Sequence, residues 1–229
     1  MSAVNTLDAA GHVAAEKFTV GATTILEAAT QLFADKGFDA VPLSAIAERA
    51  GVSKGNIFYH FGSKELLYTA VIRQACDHTA RLLHEATTRT GSFTERVRHF
   101  ASAHMQNLMS HPTLSRLILR EFLEGDARRG SMQVEEIMGA NFAKLVDIFR
   151  AGQKEGVVKA DLDPAALTVA LVAGNVFFFQ VRSMLPHFPD ARAVDNPDYY
   201  SRVVVDVFLN GVLAEPQNLP GGRNHARTR

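Results

Sequence analysis

The side chains best suited to chemistry in this sequence lie between residues 43 and 64. Lys54, Gly55, Asn56, Tyr59 and His60 fall in one short stretch, with Ser44 before it and Lys64 after it. An ammonium, an amide, a phenol and an imidazole at helical spacing can reach phosphate oxygens and base edges when a helix enters a DNA major groove. The same segment spells Gly51-Val52-Ser53-Lys54-Gly55, the G-x-S-x-G pattern of a hydrolase nucleophile elbow. That motif needs a preceding strand and an acid and a histidine placed by an α/β sheet, and the sequence offers neither. A metal centre in a helical bundle would show Glu-x-x-His pairs. There are none; Glu95 and His99 stand four apart and read as a surface contact. No Gly-rich phosphate loop is present. The single cysteine, Cys76, excludes a cysteine-built zinc site and an intrachain disulfide. It reads as a helix-core residue, with redox sensing as the alternative. We expect no catalytic residue, metal or cofactor.

The elements that must position residues 43–64 are helices. Leu43, Ile46, Ala47 and Ala50 share one face of a short helix closed by Gly51, and Ser53 caps a second from Lys54 to about Phe61. A tight turn, Ala50-Gly51-Val52-Ser53, joins them, which is helix-turn-helix spacing. Ala47 is small enough for close approach, and Val52 can plug the angle. The competing reading is a plain helical hairpin in which Tyr59 and His60 only pack. Before the pair, Ile25, Ala28, Ala29, Leu32 and Phe33 mark a helix ended by Gly37. After it, Ser63 opens a long helix to about Thr90. Ser92 with Glu95 makes a capping box for a helix to about Ser110. Pro112 starts another, ending near Gly125, and a segment from about Ser131 to Gly156 follows. Asp163-Pro164 and Asn196-Pro197 open the last two, ending near Leu185 and Leu213. No alternating β-branched run competes. The fold class is all-α: an N-terminal three-helix DNA-binding domain with a C-terminal helical domain for ligand and dimer.

These residues carry a resemblance. Phe33-Ala34-Asp35-Lys36-Gly37-Phe38, the run from Ile46 to Phe61 (IAERAGVSKGNIFYHF), and Ser63-Lys64-Glu65-Leu66-Leu67 resemble the TetR/AcrR family of bacterial transcriptional regulators over about residues 20–70. The resemblance implies that Lys54, Gly55 and Asn56 read bases. It also implies that Tyr59 and His60 contact phosphates and sugars, that Lys64 grips the backbone, and that Ser44 touches phosphate or bases. Two positions depart from the family pattern. Val41-Pro42 stands where Thr or Ser is usual before the second helix, and Phe58 where Tyr is frequent. Each removes a hydroxyl that could meet phosphate. The implied domains are a flexible arm over 1–17, the DNA-binding domain over 18–62, the ligand and dimer domain over 63–214, and a flexible tail over 215–229.

The C-terminal half is apolar enough for two uses. The helix from 164 is hydrophobic around most of its circumference, so it is buried on more than one side. The resemblance implies that the last two helices pair with their copies in a homodimer. The expected interface residues are Phe177, Phe178, Tyr200, Val204, Val207, Phe208 and Gly211; the competing use is an intrachain core. The middle helices are expected to enclose a hydrophobic small-molecule effector. Candidate lining residues are Phe100, His104, Met105, Leu108, Leu117, Phe122, Phe142, Leu145, Phe149, Asn175 and Phe179, each weighed against ordinary packing. An amide such as Asn175 inside an apolar helix needs a partner: a ligand's polar end, a buried water, or its copy across a dimer.

Composition bounds the rest. The 229 residues carry 24 basic and 24 acidic side chains and are 47% hydrophobic. This argues against disorder and against a sequence-blind basic coat protein. The first twenty residues show no secretory pattern, and the most apolar stretch, residues 165–179, is expected to be too short to span a membrane. The expectation is a cytoplasmic, ligand-responsive repressor released from a palindromic double-stranded operator. The alternative is a helical small-molecule-binding protein or metal-dependent enzyme without DNA binding.

Overall fold

The computed structural model describes residues 19–124, 132–190 and 196–214. The arm expected over 1–17 and the tail over 215–229 lie outside the described residues. Packing divides the described chain into two units. One holds the residues up to 74 together with 113–134, and the other holds 75–112 together with the residues from 135 onward.

In the first unit, α1 (Val20–Lys36) opens at Thr19, whose side chain accepts from the Ala22 amide. It buries Ile25, Leu26, Ala29 and Phe33. Against it pack α2 (Leu43–Ala50) and α3 (Lys54–Phe61). Ile46 and Ala47 of α2 and Ile57 and Phe61 of α3 close the small core. Gly51 turns the chain between them at φ 67°, and its N–H donates to the Ala47 and Glu48 carbonyls. That left-handed conformation favours glycine. The first turns of α4 (Lys64–Thr88) belong here too, with Ser63 Oγ accepting from the Leu66 amide at 3.1 Å. So does nearly all of α6 (Pro112–Glu124). It is fastened by the Tyr68 hydroxyl donating to Glu121 at 2.5 Å and by Arg116 3.9 Å from Asp35.

The second unit is built on α5 (Phe93–Ser110), α7 (Met132–Lys154), α8 (Pro164–Val181) and α9 (Pro197–Val212), with the later turns of α4. The Ser92–Glu95 capping box forms on both sides, and Asp163 and Asn196 cap the amides of α8 and α9. α5, α8 and α9 pack on one another. Phe93, Phe100, Phe149, Leu171, Val205 and Leu209 are buried at their core. Two details were not legible beforehand. α8 stops at Val181 rather than near Leu185, and a 3-10 turn, Leu185–His187, follows. Val158 and Leu213 form an isolated antiparallel bridge. α8 is also the one described helix long and apolar enough, by length and composition, to cross a membrane. This corrects the expectation that the stretch is too short; the Leu167, Leu171, Asn175, Phe178 and Phe179 face of α8 is buried within its unit.

Candidate nucleic-acid interface and ligand site

α3 presents the expected face. Ser53 Oγ accepts from the Asn56 amide at 3.2 Å, which fixes the first turn. Ile57 and Phe61 anchor the inner side, leaving Lys54, Gly55, Phe58 and Tyr59 exposed, Tyr59 most of all at 83%. Asn56 is half-buried and Ser44 on α2 is exposed. His60 is half-buried too. Its ring meets Tyr59 edge-on at 5.0 Å, and a Cβ on Gly21 would stand 3.4 Å from its Nε2. It therefore braces α3 against the start of α1. Lys64 lies with its ammonium 4.3 Å from the centre of the Phe38 ring, and burial holds its pKa below the usual lysine value while Asp39 and Glu65 oppose that. The ring positions the lysine at the start of α4. α2 begins at Pro42 without a side-chain cap, as the departure at Val41-Pro42 led us to expect.

In the second unit a small apolar cleft is lined by Ala86, Arg96, Val97, Phe100, Leu145, Ile148, Phe149 and Leu171. It has room for about one water molecule. Of the residues expected to line a ligand site, Phe100, Leu145 and Phe149 line this cleft. Met105, Leu108 and Phe179 are buried outside this lining, with the Arg182 guanidinium 3.9 Å over the Phe179 ring. Phe122 sits on α6 in the first unit and is 70% exposed. Phe142, on α7, is turned to solvent. Sequence periodicity had marked both as apolar without saying which way their helices face.

His104 and Asn175 adjoin the cleft. His104 stacks on Phe100 at 5.7 Å and 5°. The Asn175 amide donates to the Ala101 carbonyl at 2.7 Å and approaches His104 Nδ1 at 3.4 Å. Burial pushes the His104 pKa down to about 4, so the ring is neutral at physiological pH. Because an amide nitrogen can only donate, Nδ1 is the acceptor and the ring proton sits on Nε2. Arg96 and Leu171 are lining residues that sequence reasoning missed. A signal was available, since Arg96, Phe100 and His104 recur at four-residue steps on α5.

The expected dimer face divides in two. Phe177, Val207 and Gly211 are exposed, with Val169 and Val203 beside them. Phe178, Tyr200, Val204 and Phe208 make contacts within their own subunit, where Tyr200, Val204 and Phe208 stay half-buried. Phe178 stacks on Tyr200 at 4.5 Å, Phe208 meets Phe149 edge-on at 5.8 Å, and Val204 closes on Gly174. Cys76 is buried, and burial with Asp77 nearby pushes its thiol up to about 12. That favours the helix-core reading, since a sensing thiol needs thiolate character. Glu95 is occupied by Ser92, and His99 lies 3.9 Å from Glu85 instead. Among the described residues no group of three or more His, Cys, Asp or Glu could hold a metal ion.

A helix pair with an exposed, polar second helix, followed by a helical domain with an internal cleft, defines a helix-turn-helix transcriptional regulator. Residues 25–71 match the model for bacterial regulatory proteins of the tetR family, and residues 94–207 match the tetracyclin repressor-like C-terminal domain. The chain is 38% identical over 154 residues to the HTH-type transcriptional regulator RutR of Escherichia coli K12, covering 66% of this chain and 70% of that one. It is 38% identical over 74 residues to the HTH-type transcriptional activator FasR of Mycolicibacterium smegmatis, covering 32% and 34%. A putative fatty acid metabolism regulator of Clostridium perfringens superposes with a TM-score of 0.70 at 19% identity, over 84% of this chain and 100% of that chain. The chain belongs to the TetR family of bacterial regulatory proteins.

Proposed function

We propose that this regulator is a homodimeric repressor that grips a palindromic operator through α3 and leaves it when a largely apolar effector enters the second unit. The exposed α3 face carries the reading: Lys54, Gly55 and Tyr59 stand free of the domain core, with Ser44 and Lys64 flanking them. Base edges would be read from Lys54, Gly55 and Asn56, and phosphates held by Ser44, Tyr59, His60 and Lys64. Two-fold pairing is supported by the exposed apolar row of Val169 and Phe177 on α8 with Val203 and Val207 on α9. Such a row is unfavourable in water unless a partner covers it. A dimer presents two recognition helices to half-sites about one or more turns apart. An effector acts by binding better to the arrangement that does not fit DNA. The protein would then work in the cytoplasm beside its operator.

The test is selection of binding sites from random duplex DNA at fixed, near-physiological salt, because phosphate contacts make affinity salt-dependent. We expect an enriched palindrome, lost in Lys54→Ala and Tyr59→Ala variants whose helicity is unchanged. No enrichment from a folded dimer, or enrichment that survives both substitutions, refutes this reading.

A further inference from the structure

α5, α8 and α9 enclose polar groups that the subunit's own packing leaves unspent. Asn175 is 2% exposed, His104 7% and Ser201 1%. The Asn175 N–H groups go to Ala101 and His104, which leaves its Oδ1 as an acceptor and His104 Nε2–H as a donor. Ser201 Oγ is buried with no hydrogen-bond partner among the described residues. Helix register brings the three to one level. Arg98 donates to Asp206 at 2.8 Å, tying α5 to α9, while Gly174 meets Val204 and Phe178 stacks on Tyr200, tying α8 to α9. Counting along the antiparallel helices from these ties sets Ser201 beside residues 174–178 of α8 and at the level of 102–104 of α5. The apolar cleft begins one turn away, at Phe100 on α5 and Leu171 on α8.

A buried hydroxyl left unpaired, as Ser201 Oγ is, costs stability unless another molecule satisfies it. We infer that His104, Asn175 and Ser201 form the polar end of the effector site and that they take an uncharged hydrogen-bonding group, a carbonyl of ketone, lactone or lactam type, on an apolar body that must widen the small cleft beside Phe100 and Leu171 to enter. A carbonyl oxygen accepts from His104 Nε2–H or the Ser201 hydroxyl, and a lactam N–H can return a bond to Asn175 Oδ1. A carboxylate does not fit this end. Among the described residues no lysine or arginine side chain is hydrogen-bonded to His104, Asn175 or Ser201, so nothing there offsets a buried negative charge. The cation of the cleft is Arg96, one turn to the other side of Phe100, with its guanidinium 3.9 Å from Glu155.

This inference rests on the reading of the second unit as the effector domain, and the experiment separates the two. Full-length protein is titrated at millimolar concentrations with cyclohexanone, caprolactam and cyclohexanecarboxylate while the histidine ring Cε1–Hε1 NMR signals are followed, His104 being assigned by its absence in His104→Gln. The neutral probes should shift the His104 signal saturably, and the carboxylate should not. Ser201→Ala, which removes one hydroxyl, should weaken both neutral probes about tenfold, and Asn175→Leu should weaken caprolactam by a similar factor, each the loss of one buried hydrogen bond. If Asn175→Leu fails to fold, Ser201→Ala alone decides the point. The inference is overturned if neither neutral probe shifts His104, if both variants bind as the parent does, or if the carboxylate binds as well as they do. Carboxylate binding that disappears in Arg96→Gln overturns the uncharged class yet leaves the effector domain standing. Silence from all three probes removes both.

Discussion

The neutral His104 imidazole makes stability depend on acid in a way that can be worked from its surroundings. Its pKa is about 4 in the fold against an ordinary 6.5. Between those values the unfolded chain binds a proton that the folded chain refuses, so stability falls as pH drops through the window. From neutrality to about pH 5 the loss assigned to this ring is about 2 kcal/mol, and it reaches about 3 kcal/mol below pH 4. Replacement by Gln keeps an acceptor for the Asn175 amide and removes the titration. Urea unfolding of parent and His104→Gln, at one fixed protein concentration because a dimer's stability depends on it, gives the loss for each. The parent should lose about 2 kcal/mol more than the variant between neutral pH and pH 5. His78, also held below its ordinary value by burial, Arg81 and His111, contributes to both proteins and cancels in the difference. Equal losses in parent and variant would refute the claim that a buried neutral ring sits at this level of α5.

Two other outcomes follow from close packing and from exposure. A Cβ on Gly174 would stand 2.6 Å from Val204 Cγ1, so Gly174→Ala should destabilise by about 1–3 kcal/mol, and Val204→Ala in the same chain should recover part of that; thermal unfolding reads both. Phe177→Glu with Val207→Glu places charges on the exposed row of α8 and α9, and light scattering should show a folded monomer that no longer holds a palindromic site, whereas an unchanged mass would move the interface elsewhere.

Much of the helical layout was written in local chemistry. Ser53, the Ser92–Glu95 pair, Asp163-Pro164 and Asn196-Pro197 satisfy orphan amides at helix starts, and Gly51 adopts a backbone few side chains tolerate. These effects act within four residues, so no tertiary context was needed to place α2, α3, α5, α8 and α9. The α3 face was equally legible, because Ile57 and Phe61 are its buried anchors and the polar residues fall opposite them. The outcome differed on α8. That helix is apolar on nearly every side, so its sequence carries no phase that separates Phe177, which is exposed, from Phe178, which is buried. The choice fell to the close approach of Gly174 to Val204 and to the Asn175–Ala101 bond, contacts between segments far apart in the chain. The same holds for Phe122 and Phe142, and for α6, whose company with α1 and the start of α4 rests on Tyr68–Glu121 and Asp35–Arg116. Sequence by itself determined where helices begin and which short helix reads outward, since caps and amphipathic faces are local. Tertiary structure alone decided which side of each apolar helix is core, because burial is a property of the neighbours that a helix meets.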